Sequence, residues 1–265
     1  MEGIVNYSQA GAAAQPSPAI WKDCPGDLLN EAGLGYYIHE DFLATPLVNT
    51  TITAALLSRL QVAKFAIDGD DDTVLTQKTG EQGGYLDLET DGDDNDAVAI
   101  FTEPFAEIVL NSGNKVWFEV RLEAGAVADQ GIFVGLVEKA GLSRDVVADN
   151  GTALIGESLI GFQVLSSDTD GIDAVMKLDA GTAVKMDDLV SALAADTELK
   201  LGFKFDGKES IEIYLAGAKV STYSITASTF PDNVKMGVIV CLKTGTAAAV
   251  SIAVDWVRAA YQVRR

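Results

Sequence analysis

Hydrophobic and polar residues alternate along most of this chain with a period of two. The clearest stretch is Val250-Ser251-Ile252-Ala253-Val254-Asp255-Trp256-Val257-Arg258. Val250, Ile252, Val254, Trp256 and Arg258 fall on one parity; Ser251, Ala253, Asp255 and Val257 fall on the other. A strand sends successive side chains to opposite faces, so this parity predicts bulky residues on one sheet face and small or polar ones on the other. Strand-like runs recur at Lys64–Asp68, Gly84–Glu89, Ala97–Glu103, Val116–Glu123, Gly131–Glu138, Leu159–Leu165 and Ala174–Leu178. They continue at Leu199–Phe205, Ile211–Leu215, Lys219–Ile225, Val234–Leu242 and Ala249–Val257. Turn dipeptides such as Asp68-Gly69, Asp91-Gly92, Asn150-Gly151, Asp170-Gly171 and Asp206-Gly207 punctuate them. Lys200–Phe205 and Ile211–Leu215 read as a hairpin that a strand from Lys219 extends to a meander.

Helical signals are few. Asp187–Ala195 is a short helix candidate inside a connection, and Asn49–Leu60 divides between helix and strand, with Leu56 and Leu60 at helical spacing against a threonine-rich start. No βαβ unit or fixed-period repeat is present. The expectation is an all-β antiparallel sandwich over residues 41–265, preceded by an extended N-terminal arm over residues 1–40. The arm is small and proline-punctuated at Ala10–Pro18, with spaced large residues at Ile4, Tyr7, Ile20, Trp21, Tyr36 and Tyr37. Such residues would be wasted in a solvated tail. Either the arm docks on a neighbouring subunit or partner, or it packs on its own domain.

The 265 residues carry 39 Asp+Glu against 19 Lys+Arg, a net charge of −20. A phosphate-binding surface needs clustered cations. Here Arg258, Arg264 and Arg265 form the one local concentration, so nucleic acid is not expected as a partner. The acidity fits solubility at high local copy number, or simply an ordinary charged surface. Apolar runs such as Met236–Leu242 are strand-length, so no membrane span is expected, and the N-terminus has no basic n-region of a signal peptide. Cys24 and Cys241 are expected as reduced thiols, since disulfide-built proteins carry more cysteine.

Candidate chemistry is sparse. The single histidine, His39, has neither a Gly-x-Ser-x-Gly elbow nor a catalytic-cysteine context to work with. With Cys24 and Cys241 it cannot make the paired spacings of a zinc site. Gly131–Gly135 is a strand with glycines at its ends, not a phosphate-cradling turn. Two acidic loops, Asp68–Asp72 and Asp91–Asp96, supply alternate carboxylates of the kind calcium takes. In the second, however, Asp96 and Thr102 stand where an EF-hand needs glycine and glutamate, and solvated turns are the simpler reading. Glu119 and Glu123 share a face of one strand, as the carboxylate pairs of sandwich glycosidases do. Arg121 lies between them, so a surface charge ladder is expected. No catalytic, cofactor-binding or metal-binding residue is assigned, and no enzymatic activity is expected.

Five segments taken in order carry a family resemblance: Val116–Arg121, Gly131–Glu138, Leu201–Asp206, Phe230–Gly237 and Asp255–Ala260, with Trp21–Pro25 and Asp41-Phe42 ahead of them. The series resembles tailed-bacteriophage capsid decoration (cement) proteins with a concanavalin/laminin-G-like jelly roll. The resemblance implies two packed antiparallel sheets and a non-catalytic virion protein, made in the host cytoplasm and bound to the capsid exterior. Its partners would be the major capsid protein and itself, a homotrimer being favoured. A lectin-like carbohydrate-binding module of a phage head or tail fibre is the alternative.

Overall fold

The computed structural model describes residues 15–29, 33–43, 50–51, 61–62, 64–78, 84–125, 129–166, 168–190 and 193–263. In chain order the strands are β1 (Gly35–Glu40), β2 (Thr50–Thr51), β3 (Gln61–Val62), β4 (Phe65–Gly69), β5 (Val74–Gln77), β6 (Leu86–Glu89), β7 (Ala97–Phe101), β8 (Ala106–Ile108) and β9 (Val116–Ala124). There follow β10 (Gln130–Glu138), β11 (Leu159–Leu165), β12 (Asp168–Lys177), β13 (Val184–Val190), β14 (Thr197–Phe205), β15 (Ser210–Leu215), β16 (Ala218–Ser224), β17 (Val234–Thr244) and β18 (Ser251–Gln262). The front sheet runs β16-β15-β14-β9-β18-β6-β5-β2, with β1 also paired to β18. The back sheet runs β13-β12-β11-β10-β17-β7-β4-β3, with β8 also paired to β17. Every pairing is antiparallel, so the fold is the expected all-β sandwich of jelly-roll type. The β14–β15–β16 meander forms as read from the sequence.

Phe118 and Phe203 of the front sheet stack at 5.3 Å, and Phe203 meets Phe162 of the back sheet at 6.3 Å. Around them Val120, Leu122, Val134, Leu136, Val238, Val240, Ile252 and Val254 complete a dry core between the sheets. Strands β9, β10 and β17 are buried on both parities; in β10 and β17 of the back sheet, which is also covered from outside, the apolar residues form continuous rather than alternating runs. Behind the back sheet, Val146, Val147, Leu154 and Ile155 of the 139–157 connection close over Phe133, Val137, Leu159, Val175, Ile239 and Cys241. In front, Ile20, Trp21 and Leu28 close over Trp117, Tyr214 and Ala260.

Two expectations change, and one open choice is decided. The closing strand does not keep one parity: between Val254 and Trp256 its register against β9 shifts by one residue, and Asp255 is the extra residue. Val250, Ile252 and Val254 face the core, then Val257, Ala259 and Tyr261 do, while Trp256 and Arg258 turn to the outer face. A bulge re-aims every side chain that follows it. Residues 187–190 of the expected Asp187–Ala195 helix belong instead to strand β13, because pairing with β12 supplies ladder bonds that a short isolated helix lacks. Finally, residues 15–29 and β1 lie on the sandwich itself, β1 extending the front sheet beside β18. Of Asn49–Leu60, Thr50–Thr51 is strand and the rest lies outside the described residues, as do arm residues 1–14 and Arg264 and Arg265. Among the described residues no helix is long and apolar enough to cross a membrane.

Candidate functional site: the outer face of the front sheet

The inward parity of β9 is Val116, Phe118, Val120, Leu122 and Ala124, so Trp117, Glu119, Arg121 and Glu123 point outward. The ladder sets Lys204 beside Trp117, Gly202 beside Glu119, Lys200 beside Arg121 and Glu198 beside Glu123. From β18, Ala260, Arg258 and Trp256 flank Trp117, Glu119 and Arg121. The expected solvated ladder is not what this face holds. Glu119 is 0% exposed and Arg121 8%, because the chain folds back over one half of the face and a side-chain network fills the other.

In the covered half, Pro18–Trp21 forms one helical turn that Pro18 opens, since its ring pre-sets φ and its missing N–H is not needed there. Glu119 Oε2 accepts the Ser17 backbone N–H at 2.9 Å and the Trp21 indole N–H at 2.6 Å. Burial pushes the Glu119 carboxyl up, against the opposing pull of those donors. The Arg258 guanidinium lies 4.1 Å from the Trp21 ring centre and 5.1 Å from that of Tyr37, a cation–π contact with two rings that meet edge to face at 6.4 Å on the outer side of β18. Two residues on, Asp23 Oδ1 accepts the Trp117 indole N–H at 3.1 Å, and Oδ2 accepts Lys204 at 2.8 Å and Lys115 at 2.9 Å. Burial raises the Asp23 carboxyl, but the bonds from Lys204, Lys115 and Trp117 outweigh it and hold it at about 2. Glycine at position 202 makes room for the turn: a Cβ there would stand 2.6 Å from Ile20 Cδ1.

In the open half, Arg121 is the hub. Its guanidinium bonds Asp255 and Glu198 and donates to the Tyr85 hydroxyl at 2.7 Å, while that hydroxyl donates to Glu198 Oε1 at 2.6 Å. Asp255 reaches Arg121 because it is the bulged residue of β18. Lys78 pairs with Glu123 at 2.5 Å and lies 5.6 Å from the Tyr85 ring centre. Glu198, 46% exposed, is the part of this network most open to water. Glu119 and Glu123, the two glutamates that a shared strand face brought together in sequence, thus end up in separate environments. One is sealed under Trp21, the other is held by lysine.

The remaining sequence candidates lie elsewhere. His39 is on β1, opposite Arg258 in the ladder. Cys24 and Cys241 are free thiols, and burial pushes each up to about 12. The two acidic loops meet at one end of the sandwich, where the Asp70 carboxylate accepts the Ala97 backbone N–H at 3.1 Å. Arg144 bonds Asp70 at 2.9 Å and donates its backbone N–H to Asp68 at 3.0 Å. In the second loop, Asp91 accepts the Asp93 backbone N–H and Asn95 that of Asn150. Desolvation, then the hydrogen bond and charge of Asp91, push Asp96 up to about 7. Among the described residues no group of three His, Cys, Asp or Glu side chains is placed to hold a metal ion. What sequence reasoning missed is the pairing of Ser17 and Trp21 with Glu119: the partners lie 102 and 98 residues apart, and no local pattern joins them.

The sequence matches no family model and no curated protein sequence. Solved structures do match in fold. A protein of unknown function from Shewanella oneidensis MR-1 superposes with a TM-score of 0.56 at 15% identity, over 86% of this chain and 87% of that one. Peanut lectin with a bound nine-residue peptide gives 0.52 at 9% identity, over 86% and 98%. A structure from a study of endo-acting O-glycanases expressed by human gut bacteria gives 0.51 at 13% identity, over 86% and 99%. At these identities the likeness is one of fold: a concanavalin/lectin-like jelly roll.

Proposed function

We propose that this protein is a non-catalytic adhesion module, and that it serves as a decoration protein on the outside of a tailed-phage head. The observation that carries the first part is the state of the front-sheet carboxylates. Glu119 is sealed beneath Trp21, Glu123 is held by Lys78, and Asp255 and Glu198 are held by Arg121. General acid–base work needs a carboxyl group within reach of a substrate proton, and ion pairs of this kind hold the groups in place instead. With the back sheet and one half of the front sheet covered from outside, the block offers its edges, its loop ends and the other half of the front sheet for contact. The second part rests on the resemblance of the segment series. A cement protein stabilises a shell by binding the assembled state and bridging neighbouring subunits. Self-association about a symmetry axis, a trimer first, would add avidity. The test is addition of the purified protein to undecorated heads of the phage that encodes it. Saturable binding in a fixed ratio, with a higher rupture temperature, is the expected result; heads that sediment without it sink the proposal.

A second reading, carbohydrate binding, is favoured by the open half of the front sheet. There Glu198, Tyr85 and Lys78 offer acceptors and donors beside an aromatic ring. Glycan-array binding that disappears in Glu198→Ala would select this reading over the first.

A further inference from the structure

We infer that the outer edge of β16 is an interaction surface for an extended, uncharged segment, and that residues 3–9 of this same chain supply it as one more antiparallel strand. Strand β16 closes the front sheet, and no described strand lies beyond it. Five of its seven residues are exposed, Val220 among them. Val220 is the extra residue of a bulge against β15, which leaves Ser221–Ser224 in regular register. The Ser221 hydroxyl is buried and has no hydrogen-bond partner among the described residues. An edge strand turns a row of unpaired N–H and C=O groups outward, and natural edges blunt that hazard with charge. The neighbouring edge of the back sheet, β13, does so with Lys185, Asp187 and Asp188. β16 has only Lys219, which Glu212 holds at 3.2 Å. This edge calls for a cover.

The position of Gln15 and Ser17 points to the occupant. The Gln15 carbonyl accepts from Lys200 Nζ at 3.0 Å. Ser17 packs so closely on the β15–β16 turn that a Cβ at Gly217 would stand 2.6 Å from its Oγ. The chain ahead of Gln15 therefore joins the front sheet beside that turn, where β16 begins. β16 runs away from the turn, and a segment leading into Gln15 along its edge runs toward it, so the pairing is antiparallel. Residues 10–14 span up to about 17 Å, ample for the roughly 5 Å step between neighbouring strands. Composition agrees. Residues 3–9 read Gly-Ile-Val-Asn-Tyr-Ser-Gln, with Ile4, Val5 and Tyr7 of the strand-favouring kind and no charge. In a molecule of net charge −20, a neutral segment meets an edge without acidic residues free of repulsion. The tether makes the contact intramolecular, an advantage that no outside strand shares. The added strand keeps copies of the protein from pairing edge to edge, whether or not the surface they coat is a capsid.

The test uses full-length protein. Hydrogen exchange of the Ala218–Ser224 amides is compared in wild type and in a chain carrying both Val5→Pro and Asn6→Pro. Successive N–H groups of a strand point to opposite sides, so the two prolines together remove a ladder donor in either register. The expected result is exchange in β16 about tenfold or more faster in the variant, with β13 unchanged. Equal exchange in the two proteins overturns the inference. A second set of full-length chains combines Thr222→Cys with one of Ile4→Cys, Val5→Cys, Asn6→Cys, Tyr7→Cys or Ser8→Cys. Mild oxidation is expected to close a disulfide within one chain in at least one of these pairs, and none in Thr222→Cys alone. No disulfide across the set, or disulfides between chains only, overturns it.

Discussion

The indole N–H of Trp21 donates to Glu119 Oε2 across 2.6 Å, joining a residue of the leading segment to the centre of the front sheet. A carboxylate buried at mid-strand would be a defect without its donors, and these donors come from a part of the chain that composition marks as a loose arm. The bond makes the segment part of the core. Deleting residues 1–40 therefore removes more than a tether: β1 and the cover over Trp117 and Tyr214 go with it.

Glu119→Ala should cost about 1–3 kcal/mol, since it strands the buried N–H groups of Ser17 and Trp21. Glu119→Gln should cost less, because the amide oxygen still accepts and the buried charge is gone. Urea unfolding of the three proteins measures both. An alanine variant as stable as wild type would show that the bond contributes nothing.

Segment docking should be strongest in mildly acidic solution. Asp23 is depressed from 3.8 to about 2, so its contribution is present above 3.8 and lost as the pH falls through about 2. Glu119 is raised, so its contribution is complete below its unfolded value of 4.5 and is lost as the pH rises through the folded one. Protease cleavage within residues 15–29, followed against pH, should be slowest between these limits. Asp23→Asn should flatten the acid limb and Glu119→Gln the opposite one.

Arg121→Met should be among the most damaging substitutions on this face, at about 3–5 kcal/mol, because it leaves the largely buried Asp255 without its cation. Adding Asp255→Leu to that variant should restore much of the loss. The urea midpoints of the two single variants and the double form the cycle that checks it. Additive losses would mean that the two side chains do not act as a pair.

Gly202→Val should loosen the segment without unfolding the sandwich. The new Cβ would stand 2.6 Å from Ile20 Cδ1 and 2.9 Å from the Phe118 carbonyl oxygen, closing the notch. Faster proteolysis at residues 15–29 with unchanged far-ultraviolet circular dichroism is the expected pair of results.

The two thiols should be silent in the native protein. Cys241 is fully buried, and burial raises both groups to about 12, so the reactive thiolate is scarce at neutral pH. Ellman's reagent should titrate neither at an appreciable rate until denaturant is added, and both thereafter.

The strand series, the β14–β15–β16 meander and the sandwich class were legible in the sequence because period-two patterning and turn dipeptides are local signals. Local signals also failed where pairing overrode them. Asp187 and Asp188 suggested a helix that the β12 ladder turns into strand, and the parity of Val250–Arg258 broke at a bulge that no dipeptide announces. Glu119, Arg121 and Glu123 read as a solvated ladder because their spacing fixes which face they share, not what covers it. The amino-acid order by itself thus determined the elements and the faces they bury, through steric alternation and hydrophobicity. The tertiary structure alone decided which charges lie under Trp21 and which meet water. Those contacts join residues about a hundred positions apart, and long-range burial and hydrogen bonding choose them.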